Sequence, residues 1–233
     1  MSKQPIGIIG AMQVEIDTLA AALENREVEI AGGLTFIKGI LDGVPVVLSV
    51  CGVGKVFAAM AAQAMILKYD VRAIINTGVA GTLTDKLSIG DLAIAENVVQ
   101  HDMDTSPIGD PVGLISGLNL VRMPADGDLR ARITAVLAER EIRYVVGTIA
   151  SGDQFVADTE KKTYIRDTFG AIACEMEGAA IGQVCTVNQI PFAVIRAISD
   201  GGNEEATMDY PTFVKIAAAK SAEVVRAFLK AER

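Results

Sequence analysis

The sequence predicts a single α/β domain built as a three-layer sandwich, in which helices cover both faces of a central, twisted, mixed β-sheet. Three features predict this fold. Short apolar segments alternate with longer segments of helical periodicity, as in strands connected by helices. Apolar residues make up 51% of the 233 residues, enough for strands that are apolar on both sides. No linker, low-complexity tract or internal repeat interrupts the alternation, so residues 1–233 are expected to form one domain.

The first part of the chain is predicted to form two strand-containing units. A short apolar strand at residues 5–10 leads into a helix at residues 11–26, where apolar residues recur at helical spacing. Asp42-Gly43 is a turn signal, and it joins strands at residues 34–40 and 44–50 into a hairpin.

The rest of the chain continues the alternation. Further helices are predicted at residues 55–67, 128–141, 160–168, 178–187 and 210–231. Further strands are predicted at residues 73–77, 91–99, 144–150, 171–175 and 192–199, and a glycine loop at residues 78–81 follows the first of them. Residues 100–127 are rich in proline and glycine and are expected to be irregular.

Charge and cysteine usage exclude several classes of function. The net charge is −8, Lys and Arg do not cluster and Trp is absent, so neither nucleic acid nor a membrane surface is an expected partner. The start of the chain lacks the pattern of a signal peptide. Cys51, Cys174 and Cys185 form no CxxC pair, which favours reduced core thiols in a cytoplasmic protein over disulfides or a zinc site.

Three motifs resemble known sites without matching them. Gly7-Ile-Ile-Gly10 lacks the three-glycine spacing of a dinucleotide site. Gly52-Val-Gly-Lys55 resembles a phosphate loop, but Ser49 replaces its first glycine and Val56 its final Ser or Thr. His101-Asp-Met-Asp104 contains the chain's single histidine, which is too few for a typical metal site. We therefore expect no metal and no cofactor.

Small and polar residues gather where predicted strands end, at residues 78–81, 151–153, 175–177 and 199–202. The carboxyl ends of strands form the ligand crevice of open α/β sheets, so these clusters are candidates for one site, although each alone is also typical of an ordinary turn.

Three acids within or near these clusters have the placement that catalysis requires. Glu15 lies early in the first helix, Glu177 at a strand-to-helix junction and Asp200 at the end of an apolar strand. Partial burial at such positions raises a carboxyl pKa and favours proton transfer near neutrality. Each acid also has a purely structural interpretation, which is a helix-start charge for Glu15, a salt bridge for Glu177 and a turn residue for Asp200. Arg196 lies within the last strand, and if buried it requires an anionic partner, for which Glu175 and Glu177 are candidates.

Together these segments resemble the 5′-methylthioadenosine/S-adenosylhomocysteine nucleosidases of the purine nucleoside phosphorylase superfamily. The resemblance spans nearly the whole chain, and its motifs, each weak alone, are specific in their joint order. It rests on residues 7–16, 52–56, 76–82, 101–102, 151–156, 175–178 and 196–200. It implies a nucleoside phosphorylase-like fold, a homodimer, and hydrolysis of both nucleosides to adenine and a 5-thioribose product. Such an activity serves methionine salvage and the recycling of S-adenosylmethionine by-products.

The resemblance also implies roles for individual residues. Glu15 would activate the attacking water, and Asp200 would protonate adenine at N7. Glu177 would hold the ribose hydroxyls, with Met176 beside the sugar. The resemblance further implies a set of substrate-binding residues. Phe155 would stack on adenine, Val156 would offer it backbone groups and Gly81 would line the sugar. Met12, Val53 and Tyr210 would line the 5′-thio pocket, Ile108 would reach into the neighbouring subunit's pocket, and Arg196 and Ser199 would lie within the site.

Other functions remain open at the level of sequence. A phosphorylase is disfavoured because Gly10-Ala-Met-Gln-Val-Glu15 offers phosphate no cation. A sister hydrolase acting on aminodeoxyfutalosine would share the same scaffold. A non-catalytic adenine-nucleoside sensor is disfavoured because it would not need a water-activating acid. Val79 and residues 103–117 differ from the sequence that is usual in this family, and Ile108 occupies a position where Phe is frequent. The range of 5′ substituents that the site accepts is therefore the open question.

Overall fold

The computed structural model describes residues 4–201 and 206–232, and for residues 206–212 it describes the backbone alone. Within these residues, ten strands form one mixed sheet with helices packed against it, which confirms the predicted α/β sandwich. The strands are β1 (Ile6–Gly10), β2 (Glu24–Ala31), β3 (Leu34–Leu41), β4 (Val44–Val50), β5 (Ala73–Thr82), β6 (Leu92–Gln100), β7 (Met123–Pro124), β8 (Tyr144–Ser151), β9 (Ala171–Glu175) and β10 (Phe192–Asp200). The helices are α1 (Gln13–Ala21), α2 (Lys55–Tyr69), α3 (Gly127–Glu139), α4 (Thr159–Phe169), α5 (Gly178–Asn188) and α6 (Ala206–Ala231).

The sheet brings the carboxyl ends of three strands to one point. β1 lies between β4 and β5 and is parallel to both, and β10 continues the parallel run beside β5. β10 also pairs with β6, and β6, β8 and β9 lead back to β5. Gly81 of β5 therefore pairs with both Cys174 of β9 and Asp200 of β10. These pairings around Gly81 place the ends of β5, β9 and β10 together at the base of the functional site.

Two apolar layers cover the sheet. Side chains of α1, α3 and α6 pack on one face in a cluster that includes Ile16, Ile133 and Phe228. Side chains of α2 and α5 pack on the other face, where Met65 and Ile181 are fully buried. Strands apolar on both sides are what this arrangement requires.

The first helix is shorter than predicted. It ends at Ala21, and the chain then forms β2, an edge strand that pairs antiparallel with β3. Asn25 adopts a left-handed backbone conformation with φ 53°, which the helix cannot accommodate. The charged sequence of β2 is typical of a solvent-exposed edge, where Lys38 pairs with Glu27 at 2.8 Å.

The predicted glycine loop at residues 78–81 is also wrong. β5 continues through these glycines to Thr82, because β10 pairs with it in parallel register along its length. By contrast, the predicted hairpin is confirmed, with Asp42 at φ 49° and Gly43 at φ 85° in the turn between β3 and β4. In the described part of the chain, no helix is long and apolar enough to cross a bilayer.

Candidate active site

One cavity lies where β1, β5, β9 and β10 end, and together with the open solvent at its mouth it contains about 610 Å³ of space between protein atoms. Its wall combines apolar side chains with a few converging carboxylates. The lining residues are Ala11, Met12, Glu15, Val53, Val79, Ala80, Gly81, Leu83, Gln154, Phe155, Val156, Lys162, Cys174, Glu175, Met176, Glu177, Ser199 and Asp200.

Glu15 is held at the start of α1 by backbone donors. Its Oε2 accepts hydrogen bonds from the N–H groups of Ala11 at 2.7 Å and Met12 at 2.9 Å. Its Oε1 accepts one from the N–H of Val79 at 3.1 Å. Burial raises the pKa of Glu15 above its ordinary value, although Arg196 and these backbone groups oppose the shift. A fixed carboxyl of this kind is suited to accept a proton.

Gly78 leaves the space in which Glu15 and Arg196 meet. A Cβ at this position would overlap Arg196 Nη1 and Glu15 Oε1. The backbone of Gly78 is anchored from behind, since its N–H donates to Ser221 Oγ of α6 at 3.2 Å. The glycine in β5 is therefore required by close side-chain approach.

Arg196 is fully buried and is paired with two carboxylates, as its position within β10 predicted. Its Nη2 donates to Glu175 Oε2 and to Asn76 Oδ1, and it lies 3.4 Å from Glu177 Oε2. Burial disfavours the guanidinium charge, but the nearby carboxylates of Glu175, Glu177 and Glu15 outweigh it and raise the pKa of Arg196. The guanidinium stays charged behind the cavity wall.

Glu175 is a structural carboxylate that caps α5. It accepts hydrogen bonds from the N–H groups of Glu177 and Gly178 and from the hydroxyl of Ser151. Ser151 Oγ accepts in turn from the N–H of Ala179 at 2.7 Å. These contacts use the orphan donors at the helix N-terminus and fix the direction of the following residues.

The Glu177 carboxylate accepts fewer hydrogen bonds than the Glu175 carboxylate. Its Oε1 accepts a hydrogen bond from the N–H of Gly54 at 2.9 Å, and its side chain lines the cavity. Burial and the neighbouring Glu175 raise the pKa of Glu177 to about 7, despite the opposing charge of Arg196. One guanidinium among three buried carboxylates leaves excess negative charge in this part of the cavity.

Asp200 lies at the end of β10, where it lines the cavity and is 3% exposed. Its Oδ1 accepts a hydrogen bond from Ser199 Oγ at 2.9 Å. A Cβ at Gly81 would lie 2.6 Å from Asp200 Oδ2, so the glycine makes room for the carboxyl group. Lys162 of α4 donates to the carbonyl of Gly201 at 3.0 Å and holds the chain just after Asp200.

The cavity places most of the predicted site residues together. Glu15, Glu177, Asp200 and Ser199 supply its polar groups, and the remaining lining residues that were predicted are Met12, Val53, Gly81, Phe155, Val156 and Met176. Phe155 is half-exposed at the mouth.

Two of the predicted residues whose side chains the structure describes do not line this cavity. Arg196 lies behind the wall and acts on the carboxylates. Ile108 lies on a 3-10 turn at Ser106–Ile108 and its side chain is 82% exposed. The side chain of Tyr210 lies outside the described residues.

Sequence reasoning missed several lining residues, among which Gln154, Lys162 and Glu175 are the most polar. Lys162 belongs to a helix of ordinary amphipathic pattern, and only the packing of α4 buries it to 4% exposure. Glu175 belongs to the predicted strand-end cluster at residues 175–177 and was considered as a partner of Arg196, but it was not assigned a place among the site residues.

The arrangement is suited to acid–base chemistry on a bound ligand. Glu15 and Asp200 both line the cavity, and they come from the start of α1 and the end of β10. Carboxyl groups that reach one cavity from separate elements can act on opposite sides of one bond, as in glycoside hydrolysis.

Comparison with known proteins agrees with this chemistry. The phosphorylase superfamily model matches residues 5–230. A 5′-methylthioadenosine/S-adenosylhomocysteine nucleosidase of Shewanella denitrificans is 38% identical over 225 residues, which cover 96% of this chain and 98% of that protein.

Solved structures give the same result. The Helicobacter pylori 5′-methylthioadenosine/S-adenosylhomocysteine nucleosidase superposes with a TM-score of 0.95 at 34% identity, covering 99% of this chain and 100% of that one. A futalosine hydrolase of Helicobacter pylori superposes with a TM-score of 0.94 at 35% identity, covering 98% of each chain. Fold, cavity and full-length similarity agree, and the chain belongs to the 5′-methylthioadenosine/S-adenosylhomocysteine nucleosidase family of the phosphorylase superfamily.

Proposed function

We propose that this protein hydrolyses the N-glycosidic bond of 5′-methylthioadenosine and S-adenosylhomocysteine, releasing adenine and the 5-thioribose product. The observation that carries the proposal is the pair of buried carboxyl groups, Glu15 and Asp200, on one cavity. Family membership supplies the substrate class, and the carboxyl groups supply the means of breaking the bond.

Asp200 is the general acid in this proposal. Adenine leaves poorly as an anion and readily once it is protonated at N7. The Asp200 carboxyl donates that proton as the C–N bond lengthens, which is a contribution of about 10²–10⁴-fold in typical enzymes. The hydrogen bond from Ser199 fixes the orientation of the carboxyl group.

Glu15 is the general base. It takes a proton from water as the water attacks the anomeric carbon, so that one hydrogen reaches Glu15 and the hydroxyl joins the sugar. The backbone N–H groups of Ala11, Met12 and Val79 hold the carboxylate in a single position. The ribosyl group becomes oxocarbenium-like, and the excess negative charge of Glu15 and Glu177 stabilises it.

Glu177 and Met176 hold the sugar, and residues 154–156 hold the purine. A Glu177 carboxylate that accepts from Gly54 on one oxygen can accept from ribose hydroxyls on the other. Phe155 stacks on adenine, Val156 offers backbone groups, and Met12 and Val53 pack on the 5′-thio group. Arg196 acts on the site through Glu175 and Glu177.

Water is the favoured nucleophile over phosphate. The Glu15 carboxylate would repel an anion near the anomeric carbon, and the nearby Arg196 is already occupied by Glu175 and Asn76. A phosphorylase needs cationic groups free to hold phosphate at that point.

A second substrate is favoured by one specific observation. The futalosine hydrolase matches this chain as well as the nucleosidase does, at 35% against 34% identity. Aminodeoxyfutalosine, with a different 5′ group on the same adenine nucleoside, is therefore the alternative substrate.

We further propose a homodimer formed through α2 and α5. The neighbouring helices α2 and α5 both carry exposed apolar side chains, which are Val56, Phe57 and Met60 on α2 and Val187 on α5. Ile108, which is exposed on its 3-10 turn, would then be free to approach the neighbouring subunit's cavity.

One assay tests the function. Purified protein is incubated without phosphate with 5′-methylthioadenosine, S-adenosylhomocysteine or aminodeoxyfutalosine, and free adenine is measured by chromatography. We expect adenine from the first two compounds. Release that depends on added phosphate would reassign the protein as a phosphorylase, and binding without release would make it a sensor.

A further inference from the structure

Two motifs without a role in the proposed reaction meet beside the cavity. Lys55 of the Gly52-Val-Gly-Lys55 motif donates from Nζ to Asp102 Oδ1 at 2.6 Å and to Gln100 Oε1 at 3.0 Å. Both charged side chains are 19% exposed, so water screens this pair less than an ordinary surface pair.

Asp153 closes the pair into a ring. Its backbone N–H donates to Asp102 Oδ2 at 2.9 Å, and its Oδ1 accepts from the backbone N–H of Lys55 at 2.7 Å. We call these three residues the Lys55–Asp102–Asp153 network. It joins the start of α2, the residues after β6 and the residues after β8.

Both ends of the network continue directly into the substrate site. On one side, Val53 lines the cavity and the N–H of Gly54 donates to Glu177 Oε1 at 2.9 Å. On the other side, Asp153 is followed by residues 154–156, which line the cavity. The two sides are in close contact, because a Cβ at Gly54 would lie 3.0 Å from Asp153 Oδ1.

The contacts within the network favour the ionised form of Asp102. Partial burial opposes ionisation of Asp102, but the hydrogen bonds from Lys55 and from the N–H of Asp153 outweigh it and hold the pKa of Asp102 below its ordinary value. Hydrogen bonds to charged groups are the stronger kind and fix geometry.

We propose that the Lys55–Asp102–Asp153 network is a positioning device that fixes the Glu177 carboxylate relative to the purine-binding segment 154–156. The inference rests on the proposed function for the identity of the bound nucleoside. Lys55 and Asp102 are not among the residues that line the cavity, and they act through Gly54, Glu177 and the segment after Asp153.

The test compares variants of the full-length protein by kinetics. Asp102→Asn and Lys55→Met remove one charge each while keeping side-chain size. We expect each to raise KM about tenfold, a loss of about 1.4 kcal/mol in ground-state binding, with a smaller fall in kcat because Glu15 and Asp200 stay in place. Lys55→Arg should recover most of the loss, and the double variant should be no worse than either single one.

Arg226→Met is the matched control. It removes the partly exposed ion pair that Arg226 forms with Asp42 at 2.8 Å, on α6 and away from the cavity. We expect it to lower the melting temperature and leave KM unchanged. A KM within twofold of the wild type in both Asp102→Asn and Lys55→Met, or an equal rise in the control, overturns the proposal.

Hydrogen exchange separates this inference from the proposed function. Exchange at residues 52–56 and 152–157 should accelerate in Asp102→Asn and not in Arg226→Met, whether or not any nucleoside is hydrolysed. If the wild type releases no adenine, the proposed function is refuted. Hydrogen exchange then tests the network by itself, and an unchanged exchange rate in Asp102→Asn refutes the positioning role.

Discussion

The chemistry of the site depends on the number of charges buried together. Glu15, Glu175 and Glu177 surround a single guanidinium, that of Arg196, and all four side chains are nearly inaccessible. One positive charge cannot stabilise three carboxylates away from water, so the pKa values of Glu15 and Glu177 rise. Raised carboxyl pKa values favour proton transfer at a glycosidic bond.

The first prediction concerns Asp200. Asp200→Asn keeps the side-chain shape and removes the proton donor, so adenine release should fall by about 10²–10⁴-fold while the nucleoside still binds. Isothermal titration with 5′-methylthioadenosine measures binding and chromatography measures release. Turnover close to that of the wild type would remove Asp200 from its role as the acid.

The second prediction concerns the pH dependence of stability. The pKa of Glu177 rises from 4.5 to about 7 on folding, so between these values the folded state binds more protons than the unfolded state. Stability from this group is therefore greatest below about pH 4.5 and is lost as the pH rises through about 7. Glu177→Gln removes this dependence.

The wild type should lose on the order of 3 kcal/mol relative to Glu177→Gln between pH 4.5 and pH 7. Urea denaturation of both proteins across that range measures the difference. Parallel stability curves would mean that the carboxyl titrates as it does in the unfolded chain.

At the scale of elements, β5 is the strand that organises the site. It contacts β10 along its length and supplies Gly78, Val79 and Gly81 to the region around the cavity. Residues with side chains at 78 and 81 would occupy the space that Glu15, Arg196 and Asp200 need. The strand is rich in glycine because side chains that line the cavity or support its wall approach it closely from other elements.

The third prediction follows from that crowding. Gly78→Ala places a methyl group against Arg196 and Glu15, which should cost about 1–3 kcal/mol of stability and most of the activity. Gly127→Ala at the start of α3 is the matched control, because a Cβ there meets no atom within 4 Å. Denaturation and adenine release are measured for both. Equal effects in the two variants would contradict the crowding argument.

At the scale of the whole molecule, both helical layers pack on one continuous sheet. We propose on this basis that residues 1–233 form one domain. The outer faces of the two layers differ, because α2 presents a row of exposed apolar side chains, Val56, Phe57 and Met60. Such a row is typical of a surface that another subunit covers.

The fourth prediction tests that surface. Val56 and Met60 are 70% and 42% exposed, and Val56→Lys combined with Met60→Lys should shift the protein from dimer to monomer. Sedimentation velocity measures the change. Ile216→Lys on α6, at a position 64% exposed, is the control and should leave the dimer intact. A wild type that sediments as a monomer would refute the proposed homodimer.

Local patterns predicted most of the elements and failed where strand pairing overrides local propensity. The helix predicted through residue 26 ends at Ala21, because residues 24–31 form strand β2 and pair with β3 instead of continuing the helix. The glycines at 78–81 suggested a loop, since glycine weakens an isolated strand. Pairing with β10, more than a hundred residues later, keeps them in β5.

The sequence by itself determined the fold class, the family and the three acids Glu15, Glu177 and Asp200, because apolar periodicity and motif order are local properties of the chain. The tertiary structure alone decided that Arg196 lies behind the wall, that Glu175 caps α5, that Lys162 reaches Gly201 and that Lys55, Asp102 and Asp153 form a ring. Apart from the cap of α5, these contacts join residues far apart in sequence, and their strength depends on burial, which only the packed structure establishes.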